Sequence, residues 1–131
     1  MKAPPTLFAL GLAAFWAMAS AQPLSLPRPS QGLMPNPAQG KRLYEKNCVS
    51  CHGADLKGSD KGPPFLHPVY LPSHHSDPSF QAAVHHGSRA HHWKFGDMPP
   101  VQGLSADDVA HITAYVRQQQ RLAGIQQLQA H

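Results

Sequence analysis

The segment Cys48-Val49-Ser50-Cys51-His52 contains both cysteines of the 131-residue chain. The C-x-x-C-H spacing is the pattern of covalent haem attachment. Residues three apart share one face of a helical turn, so both thiols can reach the vinyl groups on one edge of a porphyrin. The next residue, His52, then lies beneath the iron. We therefore predict one haem c, attached through Cys48 and Cys51 and ligated by His52.

Three other interpretations of the two cysteines have to be weighed. A disulfide between Cys48 and Cys51 would close a very short loop and constrain the chain little. A thioredoxin-like redox site is expected beside a βαβ pattern, which the sequence lacks. A zinc site needs two further ligands, and the ten histidines of the chain could supply them. Zinc is therefore the main alternative to haem at these cysteines.

The second axial ligand is predicted to be Met98, in the segment Gly96-Asp97-Met98-Pro99-Pro100. Two prolines directly after the methionine stiffen the backbone and hold the thioether on a rigid loop. A loop methionine can instead pack against an aromatic ring, but this one comes just before an amphipathic helix. Met34 is the other methionine after residue 21, and it lies in a proline-rich stretch. Trp93 and Phe95 are predicted to form walls of the haem pocket.

Residues 1–21 are predicted to be a secretory signal peptide. Lys2 supplies a positive start, Leu7–Ala19 is almost wholly apolar, and Ala19-Ser20-Ala21 places small residues where a signal peptidase cuts. The apolar run is shorter than the roughly 18 residues of a membrane span, which disfavours a retained anchor. We therefore expect cleavage before Gln22, a periplasmic or otherwise exported protein, and no stable membrane span after cleavage.

The mature chain is predicted to contain three parts. Residues 22–36 are proline-rich without apolar periodicity and are expected to form a flexible leader. Residues 37–125 form the folded domain, and residues 126–131 are a C-terminal tail. The formal net charge of the full chain is +4. Removal of Lys2 with the signal peptide lowers it, and two haem propionates would bring it close to neutral. No cluster of Lys and Arg with interleaved aromatic residues indicates nucleic-acid binding.

Helices are the only regular elements that the sequence predicts. The first spans Pro37–Asn47, with proline at an early helical position. The second begins with Asp77 as N-cap and Pro78 at its first position, and it ends before Gly87. The third runs from Ser105 to about Leu122. Glycines and prolines break up the segments 53–73 and 88–103.

The third helix has the clearest local signals. Ser105 and Asp108 approximate a capping box. An apolar stripe at helical spacing follows, formed by Val109, Ile112, Tyr115 and Val116. We predict a small, loop-rich, all-α domain. So loop-rich a domain buries little core by itself, so a cofactor is expected to fill its centre.

These features together resemble the class I c-type cytochromes, over about residues 37–125. The resemblance implies a small cytochrome c fold with helices wrapped around one haem. Gly40 and Tyr44 resemble the Gly and aromatic pair with which the family's first helix crosses its last, near an aromatic residue matched here by Tyr115. Gly62-Pro63 resembles a Gly-Pro whose carbonyl accepts a hydrogen bond from the ligating histidine, which implies Pro63 as the partner of His52. Met98-Pro99 resembles the family's ligand loop.

The predicted function is single-electron transfer rather than catalysis. With His52 and Met98 both on iron, no coordination position stays open for a substrate. A thioether ligand raises the haem potential relative to bis-His ligation. Partners are expected to be redox proteins, met either by a free carrier or by a subunit of an oxidoreductase complex. The sequence contains no Ser-His-Asp pattern, phosphate-binding loop or obvious carboxylate pair.

Histidines in excess of one haem ligand leave alternatives open. Three adjacent pairs precede Met98: His74/His75, His85/His86 and His91/His92. Most histidines are expected at the surface, with one or two near the propionates. The pairs could instead build an accessory copper or zinc site, which would make the chain a metal-handling haem protein. His91 or His92 could also replace Met98, and a labile sixth ligand would suit a peroxidase or a gas sensor.

Overall fold

A computed structural model describes residues 25–125, so the predicted signal peptide and C-terminal tail lie outside the described residues. The elements in chain order are α1 (Pro37–Asn47), α2 (Val49–His52), a 3₁₀ turn (Pro68–Tyr70), α3 (Asp77–His86) and α4 (Ala106–Leu122). Between residues 25 and 125 there is no β-strand, only an isolated antiparallel bridge between Ser88 and Met98. The predicted all-α, loop-rich class is confirmed.

The crossing of α1 and α4 organises the fold. A Cβ atom on Gly40 would lie 1.8 Å from the backbone oxygen of His111, so only glycine allows the two helices to approach this closely. One turn later, the fully buried Tyr44 ring packs against Tyr115 with ring centroids 5.6 Å apart. The crossing expected from the resemblance is therefore confirmed.

Both helices of this crossing are capped at their N-termini, and the cap of α4 is the one predicted from the sequence. The Asn36 side chain accepts from the N–H groups of Ala38 and Gln39 at the start of α1. At α4, the Ser105 hydroxyl accepts from the N–H of Asp108, whose carboxylate in turn accepts from the N–H of Ser105. Each of these hydrogen bonds satisfies a backbone N–H group that has no partner within the first turn of its helix.

The start of α3 differs from the prediction by one residue. Ser76, not Asp77, is the N-cap, and Asp77 is the first helical residue. The Asp77 carboxylate accepts a hydrogen bond from Nε of Arg117 at 2.9 Å instead of capping its own helix. The predicted end is confirmed, because Gly87 follows with a φ of 78°, a conformation that favours glycine.

Two buried polar residues of α4 hold the long loop before α3. Arg117 donates to the carbonyl of Tyr70 at 2.6 Å and to the carbonyl of His75. Gln120 donates to the carbonyls of Phe65 and Tyr70 at 2.9 and 3.1 Å. Arg117 is 7% exposed and Gln120 is 2% exposed. The loop therefore has a fixed position although it contains only one turn of 3₁₀ helix.

The described part of the predicted leader, from residue 25 to Asn36, runs beside α4. The N–H and the hydroxyl of Ser30 both donate to the carboxylate of Asp107, and the N–H of Asn36 donates to Nδ1 of His111 at 2.8 Å. Flexibility of residues 22–36 stays a prediction. Among the described helices, none has the length and apolar character needed to cross a membrane.

The apolar core lies between α1, α3 and α4. It contains the four residues of the predicted α4 stripe and side chains from the other two helices and the loop. Its buried members are Tyr44, Leu56, Phe80, Val84, Val109, Ile112, Tyr115 and Val116.

Candidate haem site

The two cysteines and the histidine occupy one short turn. Cys48 ends α1 and precedes α2, and its carbonyl accepts from the N–H groups of Cys51 and His52 at 3.2 and 2.9 Å. Both thiols are free and partly buried. Burial, with a smaller contribution from Cys51, raises the pKa of the Cys48 thiol to about 11.

The His52 ring is held by one backbone carbonyl. Its Nδ1 lies 2.9 Å from the carbonyl oxygen of Pro63, and His52 is 8% exposed. Burial lowers the pKa of His52, and the hydrogen bond to Pro63 partly opposes that shift. Because a carbonyl oxygen can only accept, Nδ1 carries the proton and Nε2 keeps its lone pair free. The neutral imidazole therefore has one nitrogen fixed and the other available to a metal.

Gly62 lets the Pro63 carbonyl reach this ring. A Cβ atom on Gly62 would lie 2.9 Å from the carbonyl oxygen of Cys51, which is closer than real Cβ contacts allow. The loop can pass directly over the attachment turn only because residue 62 has no side chain. The hydroxyl of Ser59 donates to the same Cys51 carbonyl at 2.6 Å. The Gly-Pro pair of the resemblance thus has a defined physical role here.

Met98 lies on a loop that is closed by backbone hydrogen bonds. Ser88 and Met98 exchange two of them, with N···O distances of 2.9 and 2.8 Å. The neighbouring Asp97 carboxylate accepts from the N–H of Ala90 at 2.9 Å. Met98 is partly buried, whereas Met34 is 87% exposed. The backbone at Met98 is fixed, and its role as a ligand remains a prediction.

Phe65, which no sequence motif indicated, lies in contact with His52. Its ring stacks on the imidazole with centroids 4.2 Å apart. Phe65 also contacts Tyr70 edge-on at 5.2 Å, and Tyr70 in turn lies 4.8 Å from the ring of His75. A continuous row of rings therefore joins His52 to the loop before α3.

Trp93 and Phe95, the predicted pocket walls, lie together on the loop that precedes Met98. Their ring centroids are 6.2 Å apart, and Trp93 packs edge-on against His67 at 5.0 Å. Phe95 is 40% exposed. The indole N–H of Trp93 is buried without a hydrogen-bond partner. Burial raises the pKa of Tyr70, and the nearby N–H of Trp93 lowers it in part. The two groups do not, however, meet the geometry of a hydrogen bond.

The donor set at this turn fits a covalently bound haem. Two free thiols, three residues apart, precede a buried histidine whose Nε2 is unpaired. The orphaned N–H of Trp93 is a suitable donor to an anionic group such as a propionate. The zinc alternative is not supported within residues 25–125, because neither Cys48 nor Cys51 belongs to a group of three potential ligands.

Four histidines from two of the predicted pairs come together away from the attachment turn. We call His74, His75, His91 and His92 the histidine cluster; one ring nitrogen each from His74, His75 and His92 lies within 4.8 Å of the others. Burial is the largest cause that lowers the pKa of His75, and nearby imidazoles and Arg117 add to it. The third predicted pair, His85 and His86 at the end of α3, makes no hydrogen bond to the cluster.

Comparisons with known proteins agree with this geometry. Residues 37–120 match the family model described as Cytochrome c. A curated relative from Rubrivivax gelatinosus, described as the Cbb3-type cytochrome c oxidase subunit CcoP, is 31% identical over 94 residues. That alignment covers 68% of this chain and 29% of the relative, so the chain spans less than a third of the length of that subunit. No solved structure gave a significant match.

Proposed function

Because the chain belongs to the cytochrome c family, we propose that it transfers single electrons between redox proteins, using His52 and Met98 as the axial ligands of its one covalently bound haem c. The coarser role, a haem protein of electron transfer, follows from the family. The observation that supports His52 as an iron ligand is the hydrogen bond from its Nδ1 to the carbonyl oxygen of Pro63, at 2.9 Å. It leaves Nε2 as the one nitrogen of the His52 ring that is free to ligate iron.

The chain's own groups determine how the cofactor works. Bound haem supplies an iron that changes between Fe(II) and Fe(III). Cys48 and Cys51 hold it covalently, and the Pro63 carbonyl fixes the ring orientation of His52 and increases its basicity. The prolines after Met98 stiffen the loop on which the thioether is carried. With Met98 as a second ligand, no coordination position would stay open on the iron, which would favour outer-sphere electron transfer over substrate binding.

Export and partners are part of the same proposal. The apolar run Leu7–Ala19 and the small residues at 19–21 support a cleaved signal, and haem attachment of this kind takes place outside the cytoplasm. The relative's description as an oxidase subunit supports redox proteins as donor and acceptor. Such encounters are weak and use small interfaces, which suits a domain of this size.

The ligand assignment can be tested with one matched pair of variants. Met98→Ala removes the proposed ligand, and Met34→Ala removes a methionine that is 87% exposed. Oxidised wild type and Met34→Ala should both show the near-infrared charge-transfer band of methionine–Fe(III) ligation and bind cyanide slowly. Met98→Ala should lose the band and bind cyanide rapidly. A wild type without the band would contradict the proposal, and rapid cyanide binding by it would favour a labile, sensor-like or peroxidase-like site.

A further inference from the structure

Four imidazoles from two loops meet at one surface, outside the haem-attachment turn. Neighbouring ring centroids of the histidine cluster are 4.4 to 5.6 Å apart. His75 is partly buried, and the other three members are exposed, so an ion could enter from solvent. We propose that the histidine cluster is a second metal site, which binds one Cu(II) ion through imidazole nitrogens.

The separations of the nitrogen atoms match those of ligands that share one ion. His74 Nε2 lies 2.9 Å from His92 Nε2, and His75 Nε2 lies 3.4 Å from His91 Nε2. Metal–imidazole bonds are about 2.0–2.1 Å long, which places neighbouring donor nitrogens about 2.8 to 3.4 Å apart in square-planar or tetrahedral geometry. His74, His75 and His92 each place one ring nitrogen within 4.8 Å of the others. These three imidazoles therefore have the spacing of ligands to a single ion, and His91 lies beside them.

Two of the imidazoles are oriented by backbone carbonyls, as metal-ligating histidines usually are. Nδ1 of His75 lies 2.6 Å from the carbonyl oxygen of Val69, and Nδ1 of His91 lies 2.7 Å from that of Arg89. Since a carbonyl oxygen only accepts, each Nδ1 carries the proton and each Nε2 has a lone pair. In the neutral rings, two lone pairs then face each other across 3.4 Å. A metal cation that accepts both lone pairs would remove the repulsion between them.

Both loops that carry the cluster are fixed by other parts of the fold. Arg117 of α4 donates to the carbonyl of His75 and to that of Tyr70. On the second loop, the Asp97 carboxylate accepts from the N–H of Ala90, and Ser88 is bridged to Met98. The backbone that carries the histidine cluster is therefore held in place, which lowers the cost of bringing the rings to one ion.

The chemistry of the donors selects the metal. The site offers imidazole without thiolate or carboxylate, and imidazole suits copper, zinc and nickel, whereas calcium and magnesium prefer oxygen ligands. Among the divalent ions of the first row, Cu(II) binds a given set of nitrogen ligands most tightly. Copper is accordingly the expected occupant, and zinc should bind more weakly.

The test uses oxidised holoprotein titrated with Cu(II) by isothermal calorimetry and followed by electron paramagnetic resonance. Wild type should bind one Cu(II) with hyperfine splitting from imidazole nitrogen. His92→Gln changes an exposed member of the cluster and should weaken binding at least tenfold. The double variant H74Q/H92Q should lose the site. His86→Gln changes an exposed histidine outside the cluster and should bind Cu(II) as wild type does.

Equal binding by wild type and H74Q/H92Q would overturn the proposal, and so would the absence of Cu(II) binding by wild type. The haem spectrum of the same samples keeps this result separate from the electron-transfer proposal. Unchanged methionine–iron bands in a protein that does not bind copper would contradict the copper site alone. Zinc binding tighter than Cu(II) would contradict the choice of metal.

Discussion

Replacing Arg117 by methionine should destabilise the domain more than the same replacement at an exposed position of α4. Methionine keeps the apolar packing on the ring of Phe80, over which the guanidinium now lies at 5.0 Å, but it cannot donate a hydrogen bond. The carbonyl of His75 and the Oε1 atom of Gln120 would lose the donor they now have. The Tyr70 carbonyl would keep its second donor, Gln120.

The magnitude follows from these lost donors. A buried acceptor left without a partner costs about 1–3 kcal/mol, and two are affected, one of them only partly buried. The ion pair with Asp77 adds about 0–1 kcal/mol, because that carboxylate is 66% exposed. We expect the free energy of unfolding to fall by about 2–5 kcal/mol, a large part of the roughly 5–15 kcal/mol of a small domain.

The assay is urea denaturation of oxidised holoprotein, followed by far-ultraviolet circular dichroism. Arg121→Met is the matched control, because Arg121 lies one turn later on α4 and is exposed; it should change the unfolding free energy by no more than about 0.5 kcal/mol. A loss below about 1 kcal/mol in Arg117→Met, or equal losses in both variants, would refute the reasoning that Arg117 secures the loop before α3.

Two further predictions concern single hydrogen-bonded groups. Tyr44→Phe removes the hydroxyl that donates to the carbonyl of Gly53 at 2.7 Å, and it should lower the unfolding free energy by about 1 kcal/mol. Tyr115→Phe is the control, since that hydroxyl makes no hydrogen bond within residues 25–125. Equal losses in the two variants would contradict a stabilising role for the Tyr44 hydrogen bond. The hydrogen bonds from Ser105 lower the pKa of Asp108, so its carboxylate stabilises the fold above the unfolded pKa of about 3.9, and this contribution is lost as the pH falls through the lower folded value. Asp108→Asn should therefore flatten the fall of the urea midpoint below about pH 5, and parallel profiles for variant and wild type would argue against the effect.

The parts of the fold that depend on neighbours in sequence were predictable. Helix α4 begins at Ala106 because Ser105 and Asp108 satisfy each other's backbone donors, and both residues are within one turn. Gly87 ends α3 for an equally local reason. The N-cap of α3 was assigned one residue too late, because Asp77 is a good capping residue. A partner 40 residues away in sequence, Arg117, takes its carboxylate instead.

The parts that depend on distant contacts were not predictable from one sequence. Arginine is mostly exposed in proteins, so nothing local indicated that Arg117 is buried and holds two loop carbonyls. Phe65 lies in a segment dominated by glycine and proline, and only the path of the loop brings it onto His52. The histidine pairs were visible as pairs, but His74 and His92 meet only after the two loops are folded.

The hydrogen bonds of Arg117 and Gln120 also bear on how this protein could be dissected. Gln120 holds the carbonyl of Phe65, the residue stacked on His52, while Arg117 holds the carbonyl of His75 in the histidine cluster. A single turn near the end of α4 thus anchors the surroundings of both sites. A fragment that stops before residue 117 would lose both anchors together, so we expect truncation of the last helix to disturb both places at once.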